Sequence, residues 1–207
     1  MTQTQKRIRY WDRLAGRWPS PATERRFLAP ARAWIGARTV GQVLDVATGS
    51  CPNLDHLPPE VTLTGVDLSP RMIQAAELKA KAMRRPADLR VANAQELPFA
   101  SHGFDTVICT FSLCSMEDDA AALAEMVRVL APGGRLLLAD HVPPDNRVMR
   151  AVFRLAELVT VPLQGERLTR RPIITIQAMG LEVVATRRTN RGIIECVHAQ
   201  VPPGSAN

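Results

Sequence analysis

Val43-Leu44-Asp45-Val46-Ala47-Thr48-Gly49-Ser50-Cys51, followed downstream by Gly65-Val66-Asp67, decides how this chain folds. Gln42 to Val46 reads as a buried β-strand, and the small residues after it form a loop whose backbone can come close to a ligand. The second triplet closes another strand on a carboxylate, Asp67, 22 positions after Asp45. On a parallel sheet, an acidic residue at the end of strand two can accept hydrogen bonds from two ribose hydroxyls. Two features turn the reading away from a dinucleotide. The loop is not GxGxxG, so it lacks the usual pyrophosphate turn. Asp45 would also repel a phosphate, whereas it suits the cationic amino-acid end of an adenosyl ligand.

Outward from that stretch, helix and strand signals alternate. Residues 22–38 are an Ala/Arg-rich helical stretch, and 63–67 is the second strand. Ser69-Pro70 supplies an N-cap and a proline at the first helical position for a helix over 70–84. Residues 89–92 and 104–111 read as strands three and four. A helix over 118–130 runs into Pro132-Gly133-Gly134, and 135–139 is strand five. Residues 147–163 read as a helix, and 181–185 and 192–199 as two strands close enough to pair. The pattern predicts an α/β fold: a Rossmann-like seven-stranded, mostly parallel sheet with helices on both faces and a C-terminal antiparallel hairpin. One domain is expected over 1–207, with 1–38 as a helical cap and 142–172 as an insertion over the substrate. Ligands on such sheets sit beyond the carboxyl ends of the strands, which selects the residues after strands one, two, four and five.

The composition fits that picture. The chain has 207 residues, 46% of them hydrophobic, enough to fill a core without disulfide or metal staples. Cys51, Cys109, Cys114 and Cys196 show no CxxC pairing and no histidine cluster at metal spacing, so they are expected to be reduced thiols with no metal bound. The N-terminus has no apolar signal core and no apolar run approaches a membrane span, so a cytoplasmic protein is expected. The net charge of +6 is concentrated at one end: residues 1–40 hold nine Lys or Arg against Asp12 and Glu24. A basic segment of that kind is either a solvated face or a surface for an anionic partner.

Four stretches carry a family resemblance. LDVATGSCPN resembles the first motif of the class I S-adenosylmethionine-dependent methyltransferases, VDLSPRMI the second, ANAQELPFASHGFDTVICTFSLCSMED the stretch through strand four, and ALAEMVRVLAPGGRLLLADHV the helix, turn and strand that follow. The tail, from LQGERLTRRPI to GIIECVHAQ, is similar to the ubiquinone-methyltransferase-like group. The resemblance implies S-adenosylmethionine as cofactor and S-adenosylhomocysteine as product. It places Asp45, Ala47 and Gly49 at the methionine end, Asp67 at the ribose, and Leu68, Asn93, Ala94 and Gln95 around the adenine. Thr110 and Leu113 would border the sulfonium, with Tyr10 and Trp11 on an N-terminal helix that closes over the cofactor. Two positions depart from the pattern: Cys51 stands where glycine is usual, and Asn93 where aspartate is usual.

Methyl transfer is an in-line displacement for which a protein supplies alignment and desolvation. An acceptor that holds its proton also needs a base. His141, directly after strand five, is the candidate, and a structural hydrogen bond is the alternative reading of it. The expected acceptor is a small apolar or aromatic molecule methylated at O, S or N. A phospholipid- or quinone-directed enzyme at a membrane surface is the alternative, as is a non-catalytic cofactor-binding scaffold. The strand-four loop, Thr110-Phe111-Ser112-Leu113, lacks the Asn/Asp-Pro-Pro-aromatic tetrad of amide-methylating enzymes, which argues against nucleic acid. The apolar stretch from Val148 to Val161, with Arg147, Arg150 and Arg154, reads as a pocket lid or as a peripheral membrane contact. Monomer and homodimer both stay open.

Overall fold

A computed structural model describes residues 2–144 and 146–202. The ends of the 1–207 domain range, and position 145 within the 142–172 insertion, lie outside the described residues. Seven strands form one sheet: β1 (Gln42–Val46), β2 (Thr62–Asp67), β3 (Ala87–Val91), β4 (Phe104–Thr110), β5 (Leu130–His141), β6 (Glu182–Thr189) and β7 (Ile194–Gln200). Their order is β3-β2-β1-β4-β5-β7-β6. Strands one to five pair in parallel, and β7 runs antiparallel between β5 and β6. The expected fold class holds, and the terminal hairpin enters the sheet through its second strand.

Period-two alternation gives the sheet its two buried faces. On one face Leu44, Val107, Leu136 and Leu138 pack with Leu123 and Met126 of α5 (Asp119–Val129). On the other, Val43, Ile108, Leu137 and Ala139 pack with Ala31, Trp34 and Ile35 of α3 (Ala29–Gly36) and with Ala76 and Ala80 of α4 (Pro70–Ala82). The capping residues fix where helices begin. The Ser69 hydroxyl accepts from Met72 N, and the Asp118 carboxylate from Ala121 N.

The structure differs from expectation in two places and adds a detail at a third. Residues 22–38 are not one regular helix: Pro21–Thr23 is followed by a π-helical turn, Glu24–Leu28, and then by α3. The crossover from β1 to β2 carries a 3₁₀ turn, Pro52–Asp55, closed by the His56 N–H donating to the Asn53 carbonyl. Strand five starts at Leu130 rather than after the Pro-Gly-Gly turn, because Leu130 leaves α5 in extended geometry and pairs with Phe104 across a register shift. Among the described residues no helix is long and apolar enough to cross a membrane, and all four cysteines are buried free thiols.

Candidate active site

A cavity of about 430 Å³ opens over the carboxyl ends of β1, β2, β4 and β5, within the size range of small-molecule sites. Its first wall is the loop after β1. Ala47, Gly49 and Cys51 all have positive φ, at 55°, 56° and 59°. The loop therefore uses left-handed backbone at every second residue, a conformation that costs a non-glycine residue roughly 1 kcal/mol. Cys51 keeps the geometry usual for glycine by turning its side chain away from the ligand and into the core under α3. Gly49 leaves open space above the loop, since a Cβ there would meet no atom within 4 Å.

Asp67 ties the loop to β2. Its carboxylate accepts from Gly49 N at 2.9 Å and from Ser69 N at 2.8 Å, and it lines the cavity. Desolvation holds this carboxyl above its ordinary value, against the pull of the two amides. Leu68, Asn93, Ala94 and Gln95 line the adjoining wall. The Asn93 side-chain oxygen already accepts from Gln95 N, so part of its acceptor capacity holds its own turn.

Beneath the floor lies a network that the sequence did not announce. Asp45 is 0% exposed and does not line the cavity. Its carboxylate accepts from the Thr48 hydroxyl at 2.8 Å and from Asn53 Nδ2 at 3.0 Å. Burial pushes its pKa up to about 6, opposed by those bonds and by Arg32. Arg32, 4% exposed, donates to Asn53 Oδ1 at 2.7 Å and to Thr110 Oγ1 at 2.5 Å. Its Nε lies 3.0 Å from Glu24, and its guanidinium lies over the Phe111 ring. The cation is thus held by a carboxylate from the π-helical turn and reaches the cavity wall beside Thr110.

The wall opposite the Asp67 side carries His141 and Glu166 among apolar neighbours that include Trp18, Phe27, Leu28, Phe111 and Met116. Asp140, buried behind His141, is a brace. Its oxygens accept from the backbone amides of His141 at 2.7 Å and Cys114 at 3.0 Å. His141 Nδ1 lies 3.8 Å from Asp140 Oδ1 and has no hydrogen-bond partner. Desolvation raises Glu166, and His141 lowers it. Cys114, Asp140 and His141 are the one group among the described residues with ligand-type atoms within 4.8 Å of one another. Asp140 spends its carboxylate on backbone amides, and burial holds the Cys114 thiol well above its ordinary pKa.

Of the residues singled out in the sequence, Ala47, Gly49, Asp67, Leu68, Asn93, Ala94, Gln95, Thr110 and His141 line this one cavity. Asp45 and Tyr10 do not. Tyr10 packs edge-on against Trp11, with centroids 5.2 Å apart, and Trp11 is the aromatic that faces inward. Leu113 is fully buried in the core. Reasoning from sequence missed Arg7, Phe27, Arg32 and Glu166. Arg32 alone left a signal: it sits four residues after Leu28 and three before Ile35, both core positions, where a cation must be partnered.

Residues 44–138 match the family described as "Methyltransferase domain". The chain is 37% identical over 145 residues to the demethylmenaquinone methyltransferase of Deinococcus radiodurans, covering 69% of this chain and 60% of that protein. It is 31% identical over 163 residues to the ubiquinone/menaquinone biosynthesis C-methyltransferase UbiE of Geobacter sp. strain M21, covering 76% and 69%. The chain spans 56–60% of the length of several such relatives. Among solved structures, a putative methyltransferase from Bacillus halodurans superposes with a TM-score of 0.72 at 18% identity, over 85% of this chain and 99% of that one. The [4+2]-cyclase SpnF does so with a TM-score of 0.72 at 18% identity, over 84% and 81%. At such identities the likeness is one of fold.

Proposed function

The chain belongs to the class I S-adenosylmethionine-dependent methyltransferases, and on that footing we propose that it methylates a ring carbon of a small, apolar, quinol-type acceptor. The observation that carries this reading is the shared cavity: Asp67 and Gly49 on one side and His141 on the other line a single apolar space. The relatives' names supply the acceptor class and add carbon to the O, S and N considered from sequence.

The residues present fit the cofactor. Asp67 is a desolvated acceptor able to take two ribose hydroxyls, and the space over Gly49 is open. Leu68, Asn93, Ala94 and Gln95 offer an apolar slot with an amide edge, as an adenine requires. S-adenosylmethionine supplies, when bound, a methyl group on an electron-poor sulfonium. Asp45 acts on this site from below, by holding Thr48 and so the loop that carries Gly49.

A hydroquinone carbon becomes a stronger nucleophile as its hydroxyl loses a proton. His141 is the imidazole on the cavity wall that takes that proton. The ring hydrogen that the incoming methyl replaces leaves as a second proton, for which Glu166 is a nearby acceptor with its basicity raised by burial. Trp18, Phe27 and Phe111 give a flat acceptor an aromatic wall to lie against, which orients it.

Methyl-labelled S-adenosylmethionine incubated with the protein and a water-soluble, short-tailed demethylated naphthoquinol tests this directly. A new ring C-methyl signal by NMR is the expected product. An O-methyl ether would favour the second reading, in which His141 activates the hydroxyl itself as nucleophile. Tight cofactor binding with no product from quinols, phenols, thiols or amines would sink both readings in favour of a scaffold.

A further inference from the structure

α6 (Arg147–Gln164) is amphipathic the wrong way round for a surface helix. A helix on a soluble domain turns its apolar stripe to the core and its charges to water. Here the outermost residues are apolar: Leu158 is 72% exposed, Val148 71%, Leu155 65% and Val159 59%. At 100° per residue these four, with Val152, fall on one face of the helix. The inner side is made by Phe153, Ala156 and Thr160, all half-buried, and among the described residues neither core cluster contains a side chain of α6.

The charges beside that face are of one sign. Arg147, Arg150 and Arg154 are exposed and fall together along one flank of the apolar stripe. The acidic residue of the helix, Glu157, is turned to Thr169, whose backbone N and hydroxyl donate to Glu157 Oε1 at 2.7 and 2.8 Å. The far end of α6 meets α1 (Gln3–Leu14), where the Arg7 side chain lies against Gly165. That helix brings exposed Lys6, Arg9 and Arg13. Just past α6, Glu166 and Leu168 line the cavity.

We infer that the outward face of α6 is a docking surface for an anionic lipid bilayer. An exposed aliphatic stripe flanked by arginines matches the acyl–headgroup boundary, where aliphatic side chains enter the apolar layer and guanidinium groups pair with phosphates. A second copy of the chain complements it poorly, since a two-fold contact would bring the same arginines and no carboxylate to the same place. The docked helix sets the cavity beside the bilayer, where an apolar acceptor is concentrated. The inference goes beyond the proposed reaction and stands on different residues.

Flotation with vesicles tests it, using phosphatidylcholine alone and phosphatidylcholine with about a third phosphatidylglycerol, a fraction chosen to give a negative surface potential. The chain is expected to float with the anionic vesicles at low salt, to stay behind with the neutral ones, and to dissociate as salt screens the charges. Leu155→Glu with Leu158→Glu should lower the bound fraction at least about tenfold, because two aliphatic side chains no longer leave water. Arg147→Gln and Arg154→Gln should each weaken binding about fivefold. Melting temperature and S-adenosylhomocysteine affinity, unchanged in all four substitutions, show that the fold is intact. Absence of wild-type flotation with anionic vesicles, equal flotation with neutral ones, or insensitivity to the glutamates would overturn the inference. So would a concentration-dependent dimer that the glutamates abolish. Methyl transfer to the soluble quinol is assayed without vesicles, so failure of that reaction leaves the flotation result standing, and the reverse.

Discussion

One end of the cavity is drawn from three short runs of sequence: Ala47 to Ser50, Asp67 with Leu68, and Ala92 to Gln95. The other end gathers Phe27, Arg32, Phe111, His141, Glu166 and Ile193 from segments spread over most of the chain. The first end is held by local bonds, such as Gly49 N to Asp67 and Gln95 N to Asn93. The second depends on a buried ion pair and on tertiary packing. The difference is between a site that a motif specifies and a site that the fold assembles. It predicts that damage at the second end will show as lost stability or lost turnover, with the cofactor still bound.

The largest expected effect is on stability. Arg32→Ala removes the partner of Glu24, both of whose carboxylate oxygens are buried, so unfolding free energy should fall by about 3 kcal/mol in denaturant titration. The double variant Arg32→Met with Glu24→Gln should recover much of the loss, because no unpaired charge then stays buried. If Arg32→Ala is as stable as the wild type, the pair does not hold this end of the cavity.

His141→Gln comes next and separates turnover from binding. The rate of methyl transfer should drop roughly 100-fold, as for the loss of a proton acceptor, with S-adenosylhomocysteine affinity within about twofold of wild type. An unchanged rate would return His141 to a structural role.

A smaller effect, in pH dependence, belongs to the floor beneath the cofactor end. The Asp45 pKa of about 6 lies above its ordinary 3.8, so the fold favours the protonated form. The stability this adds is complete below about pH 4 and is lost as pH rises through 6. The span is on the order of 2–3 kcal/mol. Wild type should therefore lose more melting temperature between pH 4.5 and 7.5 than Asp45→Asn does. A parallel slope in the two proteins would mean that Asp45 is ionised throughout.

The smallest effect separates two adjacent aromatics. Trp11→Ala, which opens the cavity wall, should weaken cofactor binding by roughly tenfold. Tyr10→Phe, one residue away and outside the cavity, should leave it unchanged.

What could be read from the sequence follows the same division. Strand periodicity, the Ser69-Pro70 start and the small-residue loop are local signals, and the seven-stranded sheet and the Asp67 wall follow from them. Asp45 read as a ligand-facing carboxylate because its charge suits the cationic end of an adenosyl ligand and the family resemblance places it there. Its Thr48 and Asn53 bonds, which turn it under the floor, depend on the 3₁₀ turn Pro52–Asp55, which no local pattern announced. Tyr10 and Trp11 are equivalent in sequence, and only the packing of α1 chooses between them. Glu166 lies within the LQGERLTRRPI tail, whose resemblance assigns it no role, and its closeness to His141 is a fact of tertiary structure alone.

The measurement that bears most directly on the central claim, one cavity with its cofactor wall at Asp67, is calorimetric titration of S-adenosylhomocysteine into the wild type, Asp67→Ala and His141→Gln. Micromolar-range binding to wild type and to His141→Gln, with at least about 100-fold weakening in Asp67→Ala, is the predicted result, since two charge-assisted hydrogen bonds would be lost. Equal binding in a folded Asp67→Ala, or none in a folded wild type, would contradict it.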